Sequence, residues 1–388
     1  MEKAGKSSEK SFDSKRKILH VVEAMGSGVF TYIVDLANQL CNEFDVHIAY
    51  GVRPQTPEDY REYFDKRIKL IEVKNFTRSI NPIKDAKAFL EIRKIARVIE
   101  PDIIHLHSSK AGALGRWALN IKNYSLYYTP HGYSFLMQDC GAIKRNIYRV
   151  IESVSGKRGC TTIACSKGEY EESLSLAKNV TYINNGINVN ELQELVKQCS
   201  TTDTPHPLTV FTLGRICYQK NPELFNMIAE KVPDVRFVWI GDGELRGKLT
   251  SSNIEVTGWI NRKSALEYSV KADVFILPSL WEGLPISLLE AMYMKKLSLV
   301  SDINGNRDVI ENGVNGFVCR SADEYAEIIQ NRKSSPYQSV IEKAYQDILH
   351  EYNTTVMVEE YKKIYLRNIR KSSWDESKSL ASTNAASV

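Results

Sequence analysis

The sequence alternates, twice over, between short runs rich in β-branched and aromatic residues and longer segments with a 3.6-residue apolar period. Few architectures accept that rhythm. In the first half the runs are "KILHVVEA" (17–24), "DVHIAY" (45–50), "KLIEVK" (69–74), "PDIIHLHS" (101–108), "LYYTPHG" (126–132) and "TTIACS" (161–166). Helical segments such as "VFTYIVDLANQL" and "IKDAKAFLEIRKIARVIE" lie between them. Runs so continuously apolar belong to parallel strands covered on both faces. The rhythm stops at "KQCSTTDTPHP" (197–207), a polar stretch ending in prolines. It restarts with "LTVFTLGR" (208–215), "VRFVWIGDG" (235–243), "NIEVTGW" (253–259), "ADVFILPS" (272–279) and "KLSLVSDI" (296–303). An α/β chain with two Rossmann-like, doubly wound parallel-sheet domains facing a cleft is expected, and 388 residues suffice for two cores. The expected boundaries are 15–196 and 208–354, with a terminal helix over 355–371 returning to the first domain. The Ser-, Lys- and Ala-rich ends, 1–14 and 372–388, are expected to be disordered.

Charge divides the halves. Residues 1–190 hold 28 Lys and Arg against 21 Asp and Glu, and the rest hold 23 against 26. A basic first half suggests an anionic partner, while a pI of 8.5 without a recognition motif argues against nucleic acid. The basic segment "IKRNIYRVIESVSGKRG" (143–159) sets Lys144, Arg145, Arg149, Lys157 and Arg158 against Glu152 alone. It reads either as a solvated helix face or as a peripheral contact with anionic lipid heads. No apolar stretch reaches the length of a membrane span, and the first residues hold no secretory-signal core. Seven scattered cysteines without a C-x-x-C pair fit a reducing compartment. A cytoplasmic location, against the inner face of the membrane, is expected.

"WEGLPISLLEAM" (281–292) follows the strand "ADVFILPSL", so its first residues form a loop at that strand's C-terminal end. Pro285 suits the first turn of the helix that follows, and Gly283 lets the backbone approach a ligand. Free amides around Gly283–Ser287 would favour a phosphate. Glu282 and Glu290 are eight residues apart, about 12 Å of helix rise. A retaining glycosidase pair needs about 5–5.5 Å and an inverting pair about 6.5–9.5 Å, so a hydrolytic dyad is disfavoured. Two acceptors flanking a phosphate site suit a nucleotide sugar, although this stretch alone equally fits a solvated helix with incidental glutamates.

Taken together, "TLGRICYQKNPELF", "WIGDGELRGKL", "VTGW", "LPSLWEGLPISLLEAM" and "NGVNGFV", in this order and spacing, resemble the family 4 glycosyltransferases of the GT-B fold. The resemblance runs over about residues 17–365, and the two glutamates match that family's Glu-x7-Glu signature. It implies that Glu290 holds the ribose and Glu282 the donor sugar, with backbone amides near Leu284 and Ile286 on the phosphates. Arg215 and Lys220 in "GRICYQK" would stabilise the diphosphate leaving group without a metal. Asp242 and Glu244 in "GDGE" could instead hold a divalent cation, as in single-domain GT-A enzymes. Their flanking Gly241 and Gly243 favour a glycine-rich turn near the nucleotide. "TGW", with Gly258, resembles the segment that contacts the base, and Gly214 precedes the cationic loop.

In the first domain, Gly26-Ser27-Gly28 makes a strand-to-helix loop, a variant of the family's Gly-Gly pair on the acceptor side. His131 in "TPHGYSFL" matches the family histidine near the reacting carbon. His105 and His107 share one face of a strand; with no third ligand in view they read as structural, and no metal site is expected. Ser108 and Lys110, opening the next helix, could meet an acceptor phosphate. The whole is expected to be a retaining glycosyltransferase with no cofactor beyond its nucleotide-sugar substrate, taken to be UDP-linked. "HVVEAMGSGVFTYIVDL", "SSKAGALGRWA" and "TPHGYSFL" resemble bacterial capsule and exopolysaccharide enzymes, whose acceptors are polyprenyl-diphosphate-linked sugars or oligosaccharides. The rivals are a GT-B phosphorylase or epimerase and a non-catalytic sugar-nucleotide-binding subunit.

Overall fold

A computed structural model describes residues 15–23, 25–53, 56–77, 79–199, 206–332 and 337–367. The expected disordered ends, residues 200–205 of the polar stretch and residues 368–371 of the expected terminal helix lie outside the described residues.

The first sheet contains β1 (Lys17–Val22), β2 (Asp45–Tyr50), β3 (Lys69–Glu72), β4 (Ile103–His107), β5 (Ser125–Thr129), β6 (Thr161–Ala164) and β7 (Asn179–Tyr182). They lie in the order β3-β2-β1-β4-β5-β6-β7, all parallel. The second contains β8 (Thr209–Leu213), β9 (Arg236–Ile240), β10 (Ile254–Val256), β11 (Val274–Leu277), β12 (Leu297–Ser301) and β13 (Phe317–Cys319). Its order is β10-β9-β8-β11-β12-β13, again parallel. Both are doubly wound, with the order reversing at β1/β4 and at β8/β11, and ligands bind beyond the strand C-termini at such points.

β1 is buried from Ile18 to Val22 because helices cover both of its faces. One face packs against α1 (Ser27–Leu40), through Ile33, Leu36 and Leu40. The other lies under α2 (Pro82–Ile99) and α3 (Ser109–Ala118), which supply Ile92 and Ala111. Next along the chain come α4 (Ala142–Gly156), which packs against α3, and α5 (Lys167–Leu174). α2 begins where it does because Pro82 fixes the first turn and the Asn81 side chain accepts from the Lys84 amide.

The domain boundary lies earlier than the polar stretch suggested. The helix Val189–Lys197 buries Leu192, with Leu195 and Val196 beside it, in the second domain's core near Leu266. The chain therefore crosses at Gly186–Ile187, where the Ile187 amide donates to Tyr352 O at 3.0 Å and the Thr354 amide to Ile187 O at 2.9 Å. Two crossings lie side by side, for the helix Thr354–Arg367 leaves the second domain there and packs on α1. It places Met357, Val358, Tyr361 and Tyr365 in the first domain's core, and the Tyr32 hydroxyl donates to that of Tyr361 at 2.6 Å. No helix among the described residues is long and apolar enough to cross a membrane.

Candidate active site

The loop after β11 and the loop after β5 meet back to back. A Cβ on Gly283 would lie 3.1 Å from Gly132 N and 3.2 Å from Cys165 Sγ, so a side chain here would press the two domains apart by a few tenths of an ångström. Nearby, Asn185 Nδ2 donates to Leu284 O at 3.2 Å and the Gly168 amide reaches the Asp308 carboxylate at 2.9 Å. Gly28 in the first turn of α1 faces Ile286 across the cleft, where a Cβ would lie 4.0 Å from Ile286 Cγ1. Gly26 caps α1 in extended conformation, and Ser27 is its first residue.

The helix Ile286–Tyr293 starts one residue later than expected, with Pro285 as its cap. Its first turn leaves N–H groups without intrahelical acceptors, at the cleft end of the second sheet. Glu290, one turn further, is buried; its Oε1 accepts from Arg262 Nη2 at 2.8 Å. Asp35, buried on α1 of the other domain, shares this field. Burial pushes its carboxyl up to about 7, with Glu191 and Glu290 adding to the rise and Arg262 opposing it.

Glu282, in the loop before that helix, is bonded at Oε1 by Lys220 Nζ at 2.6 Å, and both side chains are largely buried. Gln219 fixes the loop by donating from Nε2 to Trp281 O at 2.9 Å. Lys220 ends a short 3-10 turn, Tyr218–Lys220, beyond β8. Arg215, at the same strand end, donates from Nε to Glu244 Oε2 at 3.0 Å. Asp242 Oδ2 is paired with Arg246 Nη1 at 3.0 Å, and its Oδ1 accepts from the Gly243 amide. Both carboxylates of "GDGE" are thus committed to arginines, and the segment is a turn tied into the sheet end.

Gly214, Gly241, Gly243 and Gly258 gather in one corner. Gly241 bridges Gly258, and Trp239 Nε1 donates to Gly214 O at 2.9 Å. Gly241 has φ 138°, and a Cβ there would overlap the Gly214 carbonyl, so glycine is required.

In the first domain, His131 lies at the β5 end with φ 55°, an uncommon conformation for a non-glycine residue. Glu169 of α5 holds its loop: Oε1 accepts from the Gly132 amide at 2.6 Å and Oε2 from the Cys165 amide at 2.8 Å. The edge of Tyr32 closes on the His131 ring, with centroids 4.6 Å apart. Burial pushes the imidazole down to about 3, so it is neutral at physiological pH. His107 Nδ1 lies 3.1 Å from His131 Nε2.

Two expectations change here. Lys110, expected to meet an acceptor phosphate, spends its ammonium inside the domain. It pairs with Asp85 at 2.6 Å and donates to Thr77 O at 2.7 Å and Ser79 O at 2.6 Å, which pins α3 to α2. Neighbouring Ser108 precedes α3 with φ 73° and makes no side-chain cap. The third imidazole that the sequence did not reveal also exists. His20 on β1 joins His105 and His107, and one ligand atom from each lies within 4.8 Å of the others, all three rings buried.

The family description "Glycosyltransferase Family 4" matches residues 26–191, and "Glycosyl transferases group 1" matches residues 207–332. The UDP-Gal:alpha-D-GlcNAc-diphosphoundecaprenol alpha-1,3-galactosyltransferase of Escherichia coli is 30% identical over 390 residues, covering 92% of this chain and 98% of its own. The N,N'-diacetylbacillosaminyl-diphospho-undecaprenol alpha-1,3-N-acetylgalactosaminyltransferase of Campylobacter jejuni is 25% identical, over 79% of this chain and 88% of its own. Among solved structures, sucrose-phosphate synthase from Thermosynechococcus elongatus superposes with a TM-score of 0.76 at 16% identity, over 91% of this chain and 99% of its own. That likeness establishes the shared GT-B fold.

Proposed function

The chain belongs to glycosyltransferase family 4, and from this premise we propose that it transfers a sugar, with retention, from a UDP-linked donor to a polyprenyl-diphosphate-linked acceptor in surface polysaccharide synthesis. The observation that carries the reading is the Lys220–Glu282 pair at 2.6 Å, at the cleft end of the second sheet beside the helix Ile286–Tyr293. A carboxylate for sugar hydroxyls and a cation for the diphosphate stand together where the glycosidic bond would break. Glu290, one turn along the helix, accepts ribose hydroxyls, and the first-turn amides meet phosphate. Both relatives act, by name, on diphosphoundecaprenol-linked sugars, which supports a lipid-linked acceptor.

Neither glutamate is free to serve as a base opposite the leaving group or as a nucleophile beneath the anomeric carbon. Arg215 and Lys220 stabilise the departing diphosphate, whose oxygen takes the acceptor's proton on the same face. The bond to the acceptor oxygen forms there as the bond to phosphate breaks, and the anomeric configuration is kept. Arg215 exchanges its half-exposed partner Glu244 for the diphosphate, and with Lys220 it does the work that a divalent ion would do. Turnover of an α-linked UDP-sugar in excess EDTA should therefore proceed, and proton NMR of the first-formed product should give an α-linkage. A β-linked product, or activity restored only by Mn²⁺, overturns the mechanism; donor binding without turnover favours a binding subunit.

A lipid-linked acceptor is met at a membrane surface, and the exposed face of α4 supports a peripheral contact there. Ile143, Ile147, Val150, Ile151 and Val154 form an exposed stripe along it, at helical spacing. Lys144 and Arg149 stand exposed beside them, whereas Glu152, the helix's only acid, is turned inward onto Arg116 at 2.6 Å. An apolar stripe flanked by cations, with Arg149 only loosely paired to Glu172 at 3.9 Å, fits an anionic lipid surface. Reversing Lys144, Arg145 and Arg149 to glutamate should weaken co-sedimentation with phosphatidylglycerol vesicles by at least about 10²-fold, since the three lost cations alone contribute about 1 kcal/mol each. Binding indifferent to lipid charge or to salt would count against this surface.

A further inference from the structure

Behind His131 runs a row of imidazoles that glycosyl transfer does not use. His107 Nδ1 lies 3.1 Å from His131 Nε2, and His107 Nε2 lies 3.0 Å from His20 Nδ1. His20 Nε2 is buried without a partner among the described residues. The rings follow one another at centroid distances of 5.2 and 5.3 Å.

Each neutral ring carries one N–H, so both hydrogen bonds must run in the same direction. If they ran inward, from His131 to His107 to His20, the His20 proton would sit on Nε2 as a buried donor with no acceptor. Buried N–H groups without acceptors are rare because they lose a hydrogen bond to water and gain nothing. If they run outward, the His20 proton lies on Nδ1 within a hydrogen bond, and only a bare lone pair is left at Nε2. His107 then donates from Nδ1 to His131 Nε2, and the one remaining ring nitrogen of His131, Nδ1, carries its proton.

We infer that His107, backed by His20, is a positioning residue that holds His131 as the Nδ1–H tautomer, so that the ring presents a hydrogen-bond donor to the donor sugar. The inference rests on the reading that His131 faces that sugar. His131 then donates to a hydroxyl or ring oxygen of the sugar and does not act as a base there.

The three buried imidazoles of His20, His105 and His107 also have the proximity of metal ligands. His105, however, is already saturated. The Thr129 hydroxyl donates to Ile163 O at 2.8 Å, so it accepts from His105 Nε2–H at 2.9 Å. His105 Nδ1 is then the acceptor for the Tyr365 hydroxyl at 2.6 Å. A metal would have to displace one of these two partners of His105 and break a hydrogen bond of His107, either to His20 or to His131.

The test is two-bond proton–nitrogen NMR on the full chain labelled with ¹⁵N-histidine, the His131 signals being assigned by their loss in His131→Gln. His131 should show a protonated Nδ1 and a bare Nε2, and should revert toward Nε2–H in His107→Leu. In the same variant kcat should fall about ten- to a hundredfold with the donor KM little changed, the loss of one hydrogen bond to the reacting sugar. His107→Asn, whose amide N–H can replace the lost donor, should recover most of it. A wild-type His131 in the Nε2–H form, or a stoichiometric metal found by elemental analysis, overturns the inference. The wild-type spectrum decides even if His107→Leu does not fold. Full activity in His131→Ala would instead sink the sugar-facing role while leaving the tautomer assignment standing.

Discussion

Lys220→Ala is expected to lower kcat by about 10²–10³-fold, the loss seen when a preorganised group facing developing charge is removed. The diphosphate gains negative charge as the glycosidic bond breaks, so the ammonium contributes more in the transition state than in the bound ground state. The donor KM should move far less. Lys220 also neutralises Glu282, and removing one partner of a buried pair is damaging in itself. The double variant Lys220→Ala/Glu282→Gln separates the two effects. If the loss came only from an unpaired Glu282, the double variant would regain activity; stabilisation of the leaving group predicts that it does not. Arg215→Ala should follow the same pattern with a smaller loss, since Arg215 is the more exposed of the two cations. Unchanged kcat in both single variants would remove these residues from the mechanism.

The second large effect is expected on binding. Glu290→Ala should raise the donor KM by about ten- to a hundredfold, since a hydrogen bond to a charged group contributes about 1.5–3 kcal/mol. The kcat should change little, because the ribose is remote from the bond that breaks. Arg262, which Glu290 holds at 2.8 Å, loses that partner in this variant, so a rise in KM alone is ambiguous. A donor lacking a ribose hydroxyl resolves it. The wild type should bind that donor more weakly, and Glu290→Ala should no longer distinguish it from the full ribose. Equal discrimination by both enzymes would exclude Glu290 from the ribose.

Much of this arrangement was legible because it is local. Buried parallel strands read as continuous apolar runs, and the "WEGLP" loop follows from the strand before it and the proline within it. β7 and β13 escaped because they are edge strands of four and three residues, too short for a pattern to mark them. What stayed hidden is pairing at a distance. Nothing in "KILHVV" marks His20 as a partner of His107, which only the β1–β4 register brings near, 87 residues along the chain. Lys110 reads as a free cation until Asp85, Thr77 and Ser79 close on it. Asp35 interrupts the apolar face of α1, a signal in itself, but its meaning depends on Arg262 and Glu290 in the other domain. Val189–Lys197 was assigned by its position before a polar stretch, whereas its apolar face decides where it packs.

The returning helix Thr354–Arg367 bears on the order in which the protein can be made. One face of the first sheet is closed by Met357, Val358, Tyr361 and Tyr365, which leave the ribosome only after the whole second domain. At about 5–20 residues per second, the nascent first domain waits on the order of ten seconds or more with that face open. The chain therefore passes through a period of aggregation risk during synthesis, which ends only when the helix Thr354–Arg367 emerges and docks. A transcript or ribosome that stops short of codon 354 yields two domains, the first with an uncovered aromatic face that chaperones and proteases can recognise. Only chains that extend through the helix Thr354–Arg367 escape that scrutiny.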